Sequence, residues 1–293
     1  MMYPKVKVYH DGTHYVGNLK KPVVPPKPKR DSAKKREEWI ERISQEAIEE
    51  SKKVFSYSAK QKKIKQALID KGLGEQEASI LAVEVTDKEM RNLIERRKRF
   101  CRKAYLNKFN YFCTFTYDDK KYTEDKFKKA LIKKLSKLQK KYGWRYMGIW
   151  ERSPQKERLH FHGLLFIPEG TMMGELIKVK DYNFKTHSVK ETVQNTYFNK
   201  KFGRSDFEEI HPLLLPRALT YILKYLTKTN DKIVYSKNIP NYVLSDIDYT
   251  DVLCQMEGDE FKVVLDDHFT CWDEGEYIGE ISDDIKQRLG RTK

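Results

Sequence analysis

The chain has 293 residues, 39% of them hydrophobic and 34% charged, with a formal net charge of +15. That length permits a sizeable core. No run approaches the roughly 20 apolar residues of a membrane span, and Met1-Met2-Tyr3-Pro4-Lys5 lacks the apolar core of a secretory signal, so the expectation is a soluble protein that stays in the cytoplasm. Cys101, Cys113, Cys254 and Cys271 are scattered, without the close spacing of a zinc knuckle or a disulfide scaffold, and read as reduced thiols. Residues 245–293 hold 14 acids against 5 bases, a net −9, which leaves +24 on residues 1–244. A charge of that size favours a polyanionic partner, nucleic acid first and anionic membrane second.

In chain order, residues 1–32 contain Lys21-Pro-Val-Val-Pro-Pro-Lys-Pro-Lys-Arg30 and read as a flexible basic arm of polyproline character. Residues 33–108 turn helical and form a basic extension. One segment runs near 33–56, a second near 59–71 ends at the Gly72-Leu73-Gly74 break, and a long one follows Thr86, where Thr86 and Glu89 have capping-box spacing. Arg96-Arg97-Lys98-Arg99 on the last helix offers a phosphate contact or a solvated face.

Asn110 marks a change of pattern. Tyr111–Tyr117 is rich in β-formers and reads as a strand. Thr123–Tyr142 reads as a helix with Phe127, Leu131, Leu135, Leu138 and Tyr142 on one stripe, while residues 120–141 carry ten lysines and two acids, a surface expected to contact phosphates. Strands at Arg145–Glu151 and Leu159–Ile167, joined by the polar loop Arg152–Arg158, should be antiparallel. Phe198–Ile210 offers a fourth strand and Val234–Val243 a last one, with a helix opened by Pro216 between them. The acidic segment 245–293 has enough Phe, Trp, Leu and Val to fold back onto the body.

Two constellations carry chemistry. His160-Phe161-His162 lies on a strand, where alternate residues share a face, so both imidazoles point one way and Phe161 the other. Glu151, at the end of the preceding strand, should fall beside them in the hairpin, with Glu157 in the loop as the reserve. Two imidazoles and a carboxylate suit Mg²⁺, Mn²⁺, Zn²⁺ or Fe²⁺. A His pair on a strand is also a common structural feature. The second constellation is Tyr221-Ile-Leu-Lys224-Tyr225-Leu-Thr-Lys228, in which Tyr221, Lys224, Tyr225 and Lys228 fall on one helical stripe opposite Leu215, Leu219, Ile222, Leu223 and Leu226. A phenol needs a cation or base to become a nucleophile at neutral pH, and Lys224 and Lys228 put positive charge beside it. The plainer reading is a pair of surface aromatics at i, i+4. Gly12 to Gly17 has the spacing of a phosphate-binding loop, but Asn18 stands where the lysine is needed, so no nucleotide-driven motor is expected.

These residues together resemble rolling-circle replication initiators of the HUH endonuclease superfamily. Phe112–Tyr117 looks like that family's first, structural motif. His160-Phe161-His162 meets its His-hydrophobic-His motif, and Tyr221-x-x-Lys224-Tyr225-x-x-Lys228 is similar to the third motif of the two-tyrosine branch, typified by phage gene A proteins and related plasmid and phage initiators. The likeness covers roughly residues 105–245 and implies an endonuclease domain at 109–244. The implied fold is α+β, a central antiparallel sheet of about five strands flanked by helices and RRM-like, here with an N-terminal helical extension. Also implied are a divalent metal, Mg²⁺ or Mn²⁺, on His160, His162 and Glu151; nicking and rejoining of single-stranded DNA at a replication origin through a 5′-phosphotyrosyl link; and host helicase and polymerase as partners in a bacterial cytoplasm. Relaxases and single-strand transposases of the same superfamily share this chemistry, though many relaxases carry three histidines and an N-terminal tyrosine. From another class, an antiparallel sheet bearing aromatics and lysines also serves as a non-catalytic single-strand binding module.

Overall fold

A computed structural model describes residues 2–19, 31–51, 54, 56–153, 158–183, 187–226 and 232–292. Among them the elements run β1 (Met2–His10), β2 (Tyr15–Asn18), α1 (Asp31–Ser51), α2 (Tyr57–Asp70), α3 (Glu75–Leu106), β3 (Tyr111–Thr116), α4 (Glu124–Tyr142), β4 (Arg145–Arg152) and β5 (Leu159–Phe166). They continue as β6 (Leu176–Asn183), β7 (Ser188–Asn195), α5 (Thr196–Phe202), β8 (Ser205–Glu209), α6 (Leu215–Leu226), β9 (Val234–Tyr235), β10 (Tyr242–Asp248), β11 (Val252–Gln255), β12 (Lys262–Leu265), β13 (Thr270–Asp273), β14 (Glu276–Glu280), α7 (Asp283–Leu289) and β15 (Gly290–Arg291). No described helix is long and apolar enough to cross a membrane. The fold is α+β with antiparallel sheets and flanking helices. The chain divides into two compact units, residues 21–98 and residues 1–20 with 99–293.

The smaller unit is helical. Ile43 and Ala47 of α1, Ile64, Ala67 and Leu68 of α2, and Ala78, Ala82 and Val85 of α3 close a small core, and Lys60–Glu89 at 2.6 Å ties α2 to α3. Thr86 does not cap a helix. The helix already begins at Glu75, and the buried Thr86 hydroxyl donates to the Ala82 carbonyl at 2.6 Å, the i−4 bond that satisfies a threonine inside a helix.

In the larger unit, among the described residues, two sheets form. The first has the order β6-β7-β8-β3-β5-β4-β9, seven strands where about five were expected. Its additional strands come from 176–195, a hairpin that the sequence pattern did not mark, and the segment expected as one strand at 198–210 is α5 followed by β8. One face of β3, β4 and β5 presents Cys113, Phe115, Trp150 and Phe161 to Phe127, Leu131, Leu135 and Leu138 of α4 and to Phe198 and Phe202 of α5. Gly143 ends α4 in the left-handed conformation that favours glycine, at φ 73°.

Gly148 and Gly163 face each other across β4 and β5, and the Phe161 ring lies over the pair. A Cβ on Gly148 would overlap the His162 carbonyl oxygen and stand 2.5 Å from Phe161 Cζ. Gly148→Ala is therefore expected to cost about 1–3 kcal/mol by overpacking, read as a lower denaturation midpoint. An unchanged midpoint would mean that the strands separate freely here.

The second sheet has the order β11-β12-β2-β1-β10-β13-β14, with β15 pairing β10. Residues 2–18, expected within a flexible arm, are thus a hairpin whose Val8 lies opposite Val243. Only the polyproline stretch of that arm lies outside the described residues. The acidic segment supplies the partner strands, and Val6, Val8, Tyr15, Val243, Ile247, Val263, Leu265 and Phe269 bury a common core with Leu106 of α3. The strand expected at 234–243 divides accordingly: Val234–Tyr235 edges the first sheet, and Tyr242 opens β10 in the second.

Lys103 is buried (5% exposed), donates to the Ile239 carbonyl at 2.8 Å and sits 5.1 Å from the Tyr235 ring centre. Burial, helped by the nearby Arg99, lowers its pKa to about 8 from an ordinary 10.5. Between those values the unfolded chain holds the extra proton, so stability gained at this site rises with pH from about 8 toward 10.5. The stability of the wild type relative to Lys103→Met should climb through that window in paired melts. A pH-independent difference would contradict the assignment.

Candidate functional site

The face of the first sheet opposite α4 carries the histidines. In register, Thr116 and Glu151 flank His160, and Thr114 and Ile149 flank His162. Because directly opposed residues share a face, the alternation in β3, β4 and β5 gathers Thr114, Thr116, Glu151, His160 and His162 on one surface. His162 is 4% exposed and Glu151 7%. Their side chains are joined by a 2.6 Å contact between His162 Nε2 and Glu151 Oε2. His162 Nδ1 lies 3.0 Å from Thr114 Oγ1, and His160 Nδ1 lies 2.7 Å from Thr116 Oγ1. The two imidazole centres are 6.1 Å apart. Burial, and then the neighbouring His162, push the His160 pKa below its ordinary value, against a smaller opposite pull from Glu151.

Helix α6 brings the tyrosines to this surface. Leu219, Ile222 and Leu226 are buried, Leu215 and Leu223 are half-buried, and Tyr221 and Lys224 are exposed, as the amphipathic stripe required. The Tyr225 ring stacks on His162 at 5.4 Å between centres and 11° between planes. Tyr221 meets His162 edge-on at 5.5 Å and Tyr225 at 5.1 Å. Phe112 stacks on His162 from β3 at 6.2 Å and touches Tyr221 at 5.7 Å. Burial foremost, then a hydrogen bond with Tyr225, raises the Tyr221 phenol above its ordinary pKa, so at neutral pH it is a neutral hydroxyl.

The structure therefore brings together His160, His162, Glu151, Tyr221 and Tyr225, and keeps Lys224 on the same helix. Lys228 and the reserve ligand Glu157 lie outside the described residues. Sequence reading took Phe112–Tyr117 as a structural strand and missed Thr114 and Thr116, whose hydroxyls hold the Nδ1 atoms; their period-2 spacing matches that of the histidines, but only the register shows them opposite one another.

The donor set of two imidazoles and one carboxylate suits a divalent cation. Threonine hydroxyls on both Nδ1 atoms leave the Nε2 atoms as the coordinating nitrogens, the arrangement in which an outer partner fixes the ring of a metal-binding histidine. Among the described residues, no three His, Cys, Asp or Glu side chains already converge on one metal position. The Glu151 carboxylate instead engages His162 directly, through a hydrogen bond that requires one proton between the two groups. A cation binding here has to displace that proton, as metal binding at histidine generally does.

Residues 110–230 match the model of a family described as replication-associated protein ORF2. The matched segment covers less than half of the chain and contains His160, His162, Glu151, Tyr221 and Tyr225. It supports a replication initiator family, a role in DNA replication and DNA as partner. No curated protein and no solved structure matches the chain.

Proposed function

We propose that this chain is a DNA strand-nicking and strand-joining enzyme of the HUH type, which opens and closes one strand at a replication origin through Tyr221 and Tyr225. The observation that carries the reading is the packing of both phenol rings against His162, itself held by Glu151 and Thr114. The replication-associated match over the same residues is the second support.

In the proposed reaction a phenolic oxygen attacks the scissile phosphorus as its proton departs. The bond from phosphorus to the 3′-oxygen breaks, that oxygen takes up a proton, and the 5′ side stays on the enzyme as a phosphotyrosyl ester. The freed 3′-hydroxyl suits extension by a host polymerase, with a host helicase opening the duplex. Reversal of the attack by a 3′-hydroxyl rejoins the strand and restores the phenol. His160, His162 and Glu151 would hold Mg²⁺ or Mn²⁺, which supplies Lewis-acid polarisation of the phosphate. Tyr221 begins as a neutral phenol, so its attack depends on positive charge near the phosphate, and Lys224 and Lys228 are the cations that the helix sequence provides. With two phenols one helical turn apart, about 6 Å along the axis, one can cut a regenerated origin while the other holds the 5′ end.

Binding and cleavage separate this reading from a non-catalytic module. Single-stranded origin DNA with Mn²⁺ should be cut by the wild type and merely bound by Tyr221→Phe/Tyr225→Phe. Equal processing by both proteins would defeat the tyrosine assignment.

The threonines give a finer test. Thr114→Val and Thr116→Val keep the strand but remove the hydroxyl from each Nδ1, and loss of such an outer partner typically costs 10- to 100-fold in metal affinity or activity. Each should raise the Mn²⁺ concentration needed for half-maximal nicking. Unchanged metal dependence would reduce these contacts to packing.

A further inference from the structure

The lysines of α4 lie on the other side of the sheet from the histidines and tyrosines. Phe161 sits between His160 and His162 in β5 and points into the core shared with Phe127, Leu131, Leu135 and Leu138, so α4 covers the face that the site does not use. Its outward surface carries Lys126, Lys129, Lys133, Lys137 and Lys140, all exposed. At 100° per residue their spacing keeps all five within a narrow stripe that extends about 21 Å along the helix.

Solvated helix surfaces ordinarily alternate charge sign. Here the acids of α4 are Glu124 and Asp125 in the first turn, where they face the helix dipole, and Glu124 is already paired with Arg152 at 2.5 Å. From Lys126 to Tyr142 there is no acid. Like charges at i, i+3 and i, i+4 destabilise a helix by about 0.2–0.5 kcal/mol per pair, a cost that a bound polyanion removes. Beside the stripe, Lys128, Lys129, Ile132, Lys133 and Trp150 line a shallow groove of about 490 Å³, with Lys128 Nζ 5.6 Å from the Trp150 ring centre. Its floor is apolar and its walls are cationic, a combination that takes an unpaired base between phosphate contacts. A duplex, with its base faces stacked, fills only the cationic part.

We infer that the outer face of α4 is a second DNA-binding surface, which holds single-stranded DNA on the side of the sheet away from the tyrosines. A sheet and a helix separate the two surfaces by about 20 Å, so the segment held there is not the scissile one. This surface allows the protein to retain one stretch of strand while another is presented to the tyrosines, and it does not depend on the catalytic reading.

The test is a salt titration of oligothymidylate binding to the full chain without added metal, comparing wild type with Lys126→Gln/Lys129→Gln/Lys133→Gln/Lys137→Gln/Lys140→Gln and with the corresponding five-arginine protein. At about 0.7 per neutralised phosphate on a single strand, the glutamine protein should lose about 3 from the slope of log affinity against log salt and bind weakly at low salt. The arginine protein should keep both. Nicking of a short origin oligonucleotide should be the same in all three, and melting should show the glutamine protein folded. Unchanged slope and affinity in the glutamine protein would overturn the proposal, as would duplex of equal length displacing oligothymidylate as well as single strand does. If no protein nicks DNA, the catalytic reading fails and the binding result still decides the fate of this surface.

Discussion

Replacing both Tyr221 and Tyr225 with phenylalanine should abolish the covalent protein–DNA adduct while leaving the fold and DNA binding intact. Each ring contacts His162 from a different direction, Tyr225 by stacking and Tyr221 by its edge. Either phenol can therefore reach a phosphate held beside the histidines after a small shift of helix or strand. Single substitutions should leave a reduced yield of first-strand nicking, and release of a closed circle should require both hydroxyls. The rings and their packing persist in phenylalanine, which makes a stability loss small and the comparison clean. If one single substitution removes every adduct and the other alters neither nicking nor termination, the protein works with one tyrosine.

The second large effect is expected at the histidines. Lewis-acid polarisation of a phosphate contributes several kcal/mol, and at 1.36 kcal/mol per tenfold its loss lowers the nicking rate by roughly 10³-fold or more. His160→Ala and His162→Ala should each do so, and a chelator should do the same to the wild type. Glu151→Ala has a further consequence, since it also leaves the buried His162 Nε2 without its 2.6 Å partner; some loss of stability should accompany the loss of activity. Glu151→Gln preserves a hydrogen bond and should restore the stability without the activity. Nicking that survives the chelator and both histidine substitutions at the wild-type rate would remove the metal from the account.

The parts of this site that were legible in the sequence rest on local periodicity. Period 2 put His160 and His162 on one face with Phe161 behind them, and period 3.6 separated Tyr221 and Tyr225 from Leu219, Ile222 and Leu226. The hairpin rule placed Glu151 beside the histidines, and the register sets it opposite His160 while its carboxylate engages His162. What escaped depended on distant pairing. Val8 and Val243 meet from opposite ends of the chain, so the N-terminal hairpin has no local signal beyond a few alternating apolar residues beside a proline-rich basic run. The β6–β7 hairpin is largely exposed over its outer half, and a strand without a buried face lacks the alternation by which strands are recognised. Thr86 with Glu89 has the spacing of a cap and sits inside a helix, because the same side chain can bond the preceding turn instead.

The central claim is that Tyr221 and Tyr225 form the covalent link to DNA, and the sequence around them makes it directly readable. Arg217, Lys224 and Lys228 are trypsin sites, so Tyr221 lies in a peptide spanning residues 218–224 and Tyr225 in one spanning 225–228. The measurement is incubation of the protein with Mn²⁺ and single-stranded origin DNA labelled on the 3′ side of the nick, then denaturation, trypsin digestion and mass spectrometry of the labelled peptides. The account predicts nucleotide mass on these two peptides alone, shifted wholly to the remaining one in each single phenylalanine variant. Label on any other peptide, or cleaved DNA with no labelled peptide, would contradict it.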